Sequence, residues 1–368
     1  MDDMDIDEAA SALGEDLINQ ILEAQPLDVI LKFLDDGAPV WYQNVTEGIS
    51  PLHAAAYIQN AALVKLLIEK GAVWNAVDYL NNTAGEIALS FNNEEIYTLI
   101  RDAGIRSELL LGILSKQTVA DPASLILRSE DITAAGSSTT FLDSKLKYTT
   151  DRFGQEVCLV EVDGDDVGVM MGWEREIMRE TVQKLCQGHP KTSRLRVLNV
   201  GFGLGIIDSF FQQLSTPPEE HVIIEAHPDV LAYMKSNGWY GKKGVRILEG
   251  KWQDFIDKPE FMPNGGFDVI YTDTFSEDYN ALQDFFSHLS NLMADTNTRF
   301  SFFNGLGATN ALFYDVYTRI SEIHLAGFGV DVEWSDVDVT SDGDGERWAK
   351  SREYFSLPLY RLPIGKLK

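Results

Sequence analysis

The sequence is poor in cysteine and in basic residues, and it has no long apolar run. Its only two cysteines, Cys158 and Cys186, cannot form a disulfide framework or a multi-cysteine metal site, so we expect no bound metal. No apolar run approaches the roughly 20 residues of a membrane span. The first residues, MDDMDIDEAA, are acidic where a secretory signal would be basic. We therefore expect an intracellular protein, cytoplasmic or nuclear, without a membrane partner.

The shortage of basic residues also limits the class of partner. The 368 residues include 30 Lys and Arg against 57 Asp and Glu, for a formal net charge of −27. Direct nucleic-acid binding is disfavoured, because phosphate contacts need clustered Lys and Arg. A basic partner suits this charge, although acidity is also an ordinary solubility feature. The content of 45% hydrophobic and 11% aromatic residues indicates one large packed domain or two ordinary ones.

The N-terminal third contains a repeat. Gly37, Gly71 and Gly104 lie 34 and then 33 residues apart, and each is interpreted as the end of a helix. Before the second glycine, the segment SPLHAAA at 50–56 is followed by an apolar, helix-like segment. This pattern is similar to an ankyrin repeat. In that context His53 is predicted to be structural, and the small all-α array is predicted to serve in partner binding or packing.

The composition predicts four regions along the chain. Residues 112–140 are small, polar and rich in Gly and Pro, which is typical of a linker. The predicted regions are an acidic tail at 1–19, ankyrin-like repeats at 20–111, the linker at 112–140 and a second domain at 141–368.

The second domain is predicted to be α/β. Five short apolar runs alternate with helical stretches, at 197–200, 221–225, 245–248, 267–271 and 300–303. This alternation favours a parallel sheet covered on both faces. Ligands bind at the carboxyl ends of the strands in such sheets, so the residues that follow each run are the candidates.

The first two runs end in a pattern typical of nucleotide sites. The first is followed by Gly201-Phe202-Gly203-Leu204-Gly205, and Ile206 stands where a dinucleotide fingerprint has its last glycine. This departure disfavours a nicotinamide cofactor and favours S-adenosylmethionine. Glu225 ends the second run and is placed to accept ribose hydroxyls, or is a solvated carboxylate at the end of a strand.

Later segments supply further candidates. After the third run, Gly250 and Trp252 are placed to wall an adenine, although Trp252 is almost as typical of a core. Asp273 follows the fourth run, where reacting groups lie in this architecture. Upstream, residues 157–171 are predicted to form a hairpin that leads to Glu174 at the start of a helix. An acid there is also favoured by the helix dipole alone.

These segments resemble a known family. The chain is similar to guanidinoacetate N-methyltransferase in VLNVGFGLGIIDSFF, IIEAHPDV, LEGKWQDF, IYTDTFSED and VMMGWEREIM. With the ankyrin-like repeats, residues 20–368 more closely resemble the fungal protein arginine N-methyltransferase 2 family, the type IV enzymes. The resemblance implies a Rossmann-like class I S-adenosylmethionine-dependent methyltransferase domain after a small all-α ankyrin-repeat domain.

The resemblance also implies roles for individual residues. It assigns Glu174 and Asp273 to hold a guanidino group. The residues expected to bind S-adenosyl-L-methionine are Met171, Trp173, Gly201, Phe202, Gly203, Glu225, Ala226, His227, Gly250, Lys251, Trp252 and Asp273.

The implied reaction is methylation of the δ nitrogen of an arginine in a basic protein of the ribosomal class. No paired-Glu hairpin, by which the commoner arginine methyltransferases hold guanidinium, follows the third or fourth run. The alternatives are a small-molecule guanidino N-methyltransferase, a nicotinamide-dependent oxidoreductase and a non-catalytic ankyrin scaffold. The sequence leaves the oligomeric state open.

Two segments near the C-terminus complete the predictions. Residues 331–346 carry seven acids and no base, and are interpreted as a solvated loop or as an electrostatic receiver for a basic substrate. Residues 353–360 are interpreted as a closing strand without chemistry of their own.

Overall fold

The computed structural model describes residues 3–118, 133–151, 154–191, 193–258, 261–263, 265–340 and 351–368. The chain divides into two compact units, one of residues 1–126 with 310–320, and one of residues 127–309 with 321–368. Within the described residues, no helix is both long and apolar enough to cross a membrane.

The first unit is built of helices in three pairs. They are α1 (Asp3–Leu22), α2 (Leu27–Asp35), α3 (Pro51–Tyr57), α4 (Ala61–Glu69), α5 (Ala84–Ser90) and α6 (Glu94–Thr118). Gly37 and Gly71 follow α2 and α4 in the left-handed conformation that ends a helix, with φ of +94° and +92°. The helix ends predicted at these two glycines are confirmed.

His53 has the structural role predicted for it. Ser50 caps α3, and its hydroxyl lies 2.7 Å from His53 Nδ1. The other ring nitrogen, Nε2, lies 3.1 Å from the carbonyl oxygen of Asn82 in the next repeat. The side chain is buried, and this burial lowers its pKa. His53 therefore joins neighbouring repeats through a neutral ring.

The third predicted helix end is wrong. Gly104 lies inside α6, not after it. A Cβ at this position would lie 2.8 Å from the indole of Trp74, so the glycine provides space for that ring.

The predicted tail and linker also differ from the structure. Helix α1 covers residues assigned to the acidic tail, and its Leu17 and Ile18 are fully buried. The linker was predicted to begin at residue 112, but α6 continues to Thr118. Residues 119–132, which form much of the predicted linker, lie outside the described residues.

Glu86 connects two segments of the first unit. Its carboxylate accepts hydrogen bonds from the backbone N–H of Thr83 at 3.0 Å and of Ala311 at 3.3 Å, and a third from the side-chain amide of Asn310. Glu86 thus completes the capping box of α5 and receives the orphan N–H at the start of residues 311–320.

The second unit begins with a small sheet and a helix. Its elements are α7 (Ser138–Asp143), β1 (Leu146–Thr150), β2 (Glu156–Val162), β3 (Asp165–Met170), a 3₁₀ turn (Gly172–Glu174) and α8 (Arg175–Cys186). The three strands are antiparallel in the order β1-β2-β3. The hairpin predicted at 157–171 is confirmed, and it delivers Glu174 to the start of a helix as expected.

A seven-stranded sheet forms the centre of this unit. The elements are β4 (Arg196–Val200), α9 (Ile206–Gln212), β5 (Glu220–Glu225), α10 (Pro228–Ser236), β6 (Val245–Glu249), β7 (Val269–Thr272), α11 (Tyr279–Leu292), β8 (Arg299–Phe302), α12 (Ala311–Gly327), β9 (Val330–Asp338) and β10 (Leu359–Leu367). Of α12, residues 321–327 belong to this unit and residues 311–320 to the first. The strand order is β6-β5-β4-β7-β8-β10-β9. The five predicted strands, β4 to β8, are parallel, while β10 is antiparallel to both of its neighbours.

Both faces of this sheet are covered. Val222 and Ile224 on β5 pack in a core with Phe285 and Phe286 of α11. Ile223, between them, belongs to another core with Val230 and Met234 of α10. This alternation explains why the strand is apolar throughout. The parallel pairing of β4 to β7 places their carboxyl ends at one edge of the sheet, where the predicted site residues stand.

The predictions for the last segments need correction. Residues 330–338 form strand β9, not a solvated loop, and its acids alternate with more buried residues such as Val337. Residues 341–346 of the predicted acidic stretch lie outside the described residues. The closing strand is β10, which begins at Leu359, so residues 353–358 precede it.

We predict that Glu86→Ala lowers the free energy of local unfolding of α5 by about 1–2 kcal/mol, because three donors lose one charged acceptor. Hydrogen exchange of the α5 amides measures this change. The exposed Glu95→Ala on α6 is the control and should leave the exchange unchanged. Equal protection in the two variants would contradict the role given to Glu86.

Candidate active site

A glycine loop lies at the carboxyl end of β4. Gly201, Gly203 and Gly205 have φ of +89°, +56° and +69°, a region that favours glycine. A Cβ on Gly201 would lie 1.9 Å from the backbone oxygen of Asp273. The loop therefore lies directly against the chain that leaves β7.

A buried polar network fixes the start of this loop. The side-chain amide of Asn199 donates to the carbonyl oxygen of Gly201 at 2.7 Å and to the carboxylate of Asp208 at 2.9 Å. His221 Nε2 lies 2.9 Å from the same carboxylate. Because Asn199, Asp208 and His221 are all fully buried, their contacts hold the loop to α9 and β5.

Glu225 binds the backbone of the same loop. One oxygen of its carboxylate accepts the N–H of Phe202 at 2.9 Å, and the other accepts the N–H of His227 at 2.7 Å. Burial raises the pKa of Glu225, and these backbone donors act in the opposite direction. Glu225 is thus a buried acceptor rather than a solvated carboxylate.

A first cavity opens beside the glycine loop. The predicted residues that line it are Gly201, Phe202, Gly203, Glu225, Ala226, Gly250, Lys251, Trp252 and Asp273. The structure therefore brings together residues from the ends of four neighbouring strands.

Three residues predicted to bind the cofactor are not in the lining of this cavity. Met171 is buried, and its N–H donates to Glu174. Trp173 packs against Phe355, with ring centroids 5.6 Å apart. The ring of His227 caps α10 and contacts the carbonyl oxygen of Phe141 at 3.0 Å. The side chains of Trp173 and His227 and the backbone of Met171 are thus each engaged by a contact within the protein.

Sequence reasoning missed part of the first cavity. Ser138, Phe141 and Leu142 of α7 line it, and Phe141 lies 4.7 Å from the ring of Phe275. Ser138 falls in the predicted linker, and Phe141 and Leu142 are the first residues of the predicted second domain, where the sequence analysis identified no motif.

Glu277 was also missed. Its carboxylate accepts from Trp252 Nε1 at 3.2 Å and from the hydroxyl of Thr274 at 2.7 Å. The bonds join the segments that follow β6 and β7. Trp252 is 3% exposed and belongs to the main core while it also lines the first cavity, and its contact with an adenine stays a prediction.

A second cavity contains both predicted acids. Glu174 and Asp273 line it, together with Gly168, Phe303, the loop Gly305–Thr309 and Arg352–Tyr354. Asp273 and Thr274 also line the first cavity, as do Phe275 and Glu277. The two cavities therefore meet at the segment that follows β7.

Glu174 is buried and partly satisfied by the protein. Its Oε1 accepts the N–H of Met171 at 2.9 Å and the hydroxyl of Tyr354. Its Oε2 has no donor among the described residues. One carboxylate oxygen is therefore held, and the other is available to a ligand.

The two acids influence each other's ionisation. Burial and, after it, the negative charge of Asp273 together raise the pKa of Glu174 to about 8, while the hydrogen bonds from Tyr354 and Met171 act in the opposite direction. Burial likewise raises the pKa of Asp273, while a hydrogen bond from Tyr271 lowers it. A cation between the two carboxylates would remove both their repulsion and the cost of burying charge.

Comparisons with known proteins identify the family of this chain. The model of the guanidinoacetate N-methyltransferase family matches residues 147–324, and the ankyrin repeat model matches residues 47–79. A protein arginine N-methyltransferase 2 of Cryptococcus neoformans is 41% identical over 100% of this chain and 99% of its own length. The chain belongs to the protein arginine N-methyltransferase 2 family. Further relatives with this name are 35% identical in Aspergillus fumigatus, over 90% of each chain, and 36% identical in Saccharomyces cerevisiae, over 87% of this chain and 84% of that one.

Family membership confirms the predicted fold class and the predicted resemblance. The second unit is a Rossmann-like methyltransferase domain, and the first contains an ankyrin repeat. The matched range of the methyltransferase model includes Glu174, Glu225 and Asp273. It ends before Tyr354, so this residue of the second cavity lies outside the match.

We predict that Gly201→Ala greatly weakens binding in the first cavity, because its Cβ would collide with the backbone oxygen of Asp273. Calorimetric titration with S-adenosylhomocysteine measures the affinity. Gly241→Ala is a matched control, since a Cβ there meets nothing within 4 Å. Equal affinities in the two variants would contradict the close approach of the loop.

We also predict that Glu174→Gln raises the melting temperature more at pH 9 than at pH 5. The pKa of Glu174 is higher in the folded chain than in the unfolded one. Its contribution to stability is therefore fully present below the unfolded pKa and is lost as the pH rises through about 8. Glutamine cannot ionise, so the Glu174→Gln variant does not lose this stability as the pH rises.

Thermal melts at the two pH values test this expectation. Exposed Glu161→Gln is the control and should give nearly the same small shift at both. If the change in melting temperature caused by Glu174→Gln does not depend on pH, ionisation of Glu174 does not destabilise the folded protein, and the expectation is wrong.

Proposed function

We propose that the protein transfers a methyl group from S-adenosyl-L-methionine to the δ nitrogen of an arginine in a basic protein of the ribosomal class. Membership of the protein arginine N-methyltransferase 2 family supports the arginine methyltransferase activity. The observation that carries the proposal is the pair of acids, buried Glu174 and half-buried Asp273, in a cavity that meets the first cavity at Asp273.

The residues of the first cavity suit S-adenosylmethionine. The glycine loop lets backbone approach a ligand closely at the start of α9. Glu225 lines this cavity beside the loop and would accept hydrogen bonds from ribose hydroxyls. Gly250 and Trp252 would border the adenine. When bound, the cofactor supplies a sulfonium methyl group that is already activated for transfer.

The chain's own task is to orient the acceptor. A guanidinium ion has a pKa above about 12, and its lone pairs are delocalised. Two carboxylates form charge-assisted hydrogen bonds to its N–H groups and fix its plane. Glu174 would bind through Oε2, since Oε1 is already held, and Asp273 would bind from the side of the first cavity. One nitrogen is then directed toward that cavity.

The raised pKa values also suit proton transfer. The nitrogen that gains a methyl group must lose a proton, and a carboxylate with a pKa near neutrality is a suitable acceptor. Burial of Glu174 and Asp273 provides this property. The apolar side chains of Val169 and Phe275 help exclude water from the site. Either acid would serve as the base in this mechanism.

The choice of the δ nitrogen rests on the type IV resemblance. It is also supported by the segments after β6 and β7, where the described residues contain no hairpin with paired glutamates. A basic substrate is favoured by the exposed carboxylates of β9, which are those of Asp331, Glu333, Asp336 and Asp338. We further propose that the protein works in the cytoplasm, the nucleus or both.

We expect Glu174→Gln and Asp273→Asn each to reduce methyl transfer by about 10- to 100-fold, the effect of losing one hydrogen bond between charged groups. The assay uses labelled S-adenosylmethionine and ribosomal proteins extracted from cells that lack this enzyme. Acid hydrolysis should place the label in δ-N-methylarginine. Cofactor affinity of Glu174→Gln should be retained, because Glu174 is absent from the lining of the first cavity.

Glu176→Gln, two residues further along the chain, is the matched control and should keep full activity. Near wild-type turnover by both site variants would contradict the guanidinium clamp. With a whole lysate of the same cells as the acceptor, label found only in small molecules would instead indicate a small guanidino compound as the acceptor. Label in terminal-nitrogen methylarginines would contradict the δ assignment alone.

A further inference from the structure

A short segment after the undescribed residues 341–350 is held at both ends. The N–H of Arg352 donates to the carbonyl oxygen of Asp166 at 3.0 Å, and Arg352 forms a parallel bridge with Val167 on β3. Four residues later, the N–H of Ser356 donates to the carbonyl oxygen of Ala308 at 2.9 Å. Tyr354 lies between these two attachments, so its backbone is fixed relative to the second cavity.

The ring of Tyr354 also has a prepared position. A Cβ on Gly168 would lie 2.9 Å from Tyr354 Cε1, so only a glycine on β3 leaves space for the ring. The ring of Trp173 lies 5.8 Å away, centroid to centroid. These contacts direct the hydroxyl to one place, and there it donates a hydrogen bond to Glu174 Oε1.

We propose that Tyr354 is a positioning residue for the reaction, which acts by holding Glu174 Oε1 so that the carboxylate presents Oε2 to the guanidinium. This inference rests on the proposed function, since it requires Glu174 to bind the acceptor. It assigns chemistry to a segment that lies outside the matched range of the methyltransferase family model.

The hydroxyl also influences the charge of Glu174. Tyr354 donates its hydrogen bond to the carboxylate, which favours the ionised form and opposes the burial that raises the pKa. Other groups face the same cavity from the elements around it. They are Asp273, Glu277 and Asp278 after β7, and Arg352 and Glu353 beside Tyr354. Buried Tyr271 on β7 does not line the cavity but interacts electrostatically with both acids.

Removing only the hydroxyl of Tyr354 tests the hydrogen bond to Glu174 separately from the packing of the ring. Tyr354→Phe keeps the ring against Gly168 and Trp173 and deletes the donor. The acid limb of the pH profile of kcat/KM should move to higher pH by about one unit, the size expected for one hydrogen bond to a charged group. The acceptor is again the ribosomal protein extract. Tyr233→Phe, whose hydroxyl is 3.5 Å from the exposed Glu156, should leave the limb in place.

A binding measurement tests the same role without turnover. The probe is the peptide acetyl-Gly-Arg-Gly-amide, titrated in the presence of S-adenosylhomocysteine at pH 7. Tyr354→Phe should weaken binding by about tenfold in the wild-type background. In the E174Q background the same substitution should have no further effect, because there is no carboxylate left to position.

The outcomes distinguish this inference from the proposed function. An unmoved acid limb with unchanged peptide affinity in Tyr354→Phe would overturn the role of Tyr354, even if Glu174→Gln is inactive. An equal loss of affinity in both backgrounds would also overturn it, since Tyr354 would then act independently of Glu174. Full activity of Glu174→Gln would instead refute the clamp on which the inference rests.

Discussion

The placement of two acids in one cavity, buried Glu174 and half-buried Asp273, is the constraint on which the rest of the site depends. Ionised carboxylates that share a cavity and are shielded from water are unfavourable unless donors or a cation satisfy them. The protein provides part of this satisfaction through the N–H of Met171 and the hydroxyls of Tyr354 and Tyr271. It leaves the remainder to a ligand. The site therefore stores unfavourable electrostatic energy that a planar cation with several N–H donors would release.

The fold brings these groups together from distant parts of the chain. Strand β7 ends at Asp273, the turn after β3 presents Glu174, and the segment before β10 contributes Tyr354. The contact between Gly201 and the backbone of Asp273 then joins the cavity for the methyl donor to the cavity with the acids. Because one residue borders both, the position of the acceptor carboxylate depends on the same loop that is expected to hold the cofactor.

The sequence predicted much of this arrangement, and physical reasons explain the remainder. Parallel buried strands are continuous apolar runs, and the residues after them were therefore identifiable, including Glu225 and Asp273. Tyr354 carried no comparable signal, since its role depends on a bridge between Arg352 and β3 that no local pattern encodes. The helix end predicted at Gly104 was wrong because the sequence does not distinguish a glycine that makes space for a ring from one that ends a helix. The acidic residues of β9 were interpreted as part of a loop because exposed acids alternate with more buried residues over only a few positions.

Proton release on binding tests the central claim most directly. If a guanidinium binds between Glu174 and Asp273, whose pKa values are raised by burial, binding near pH 7 must ionise them and release protons. Calorimetric titration of acetyl-Gly-Arg-Gly-amide, with S-adenosylhomocysteine present and in buffers of different ionisation enthalpy, counts these protons. The account predicts release that diminishes at pH 9, where the carboxyls are already ionised. Binding of the peptide without proton release at pH 7 would contradict it.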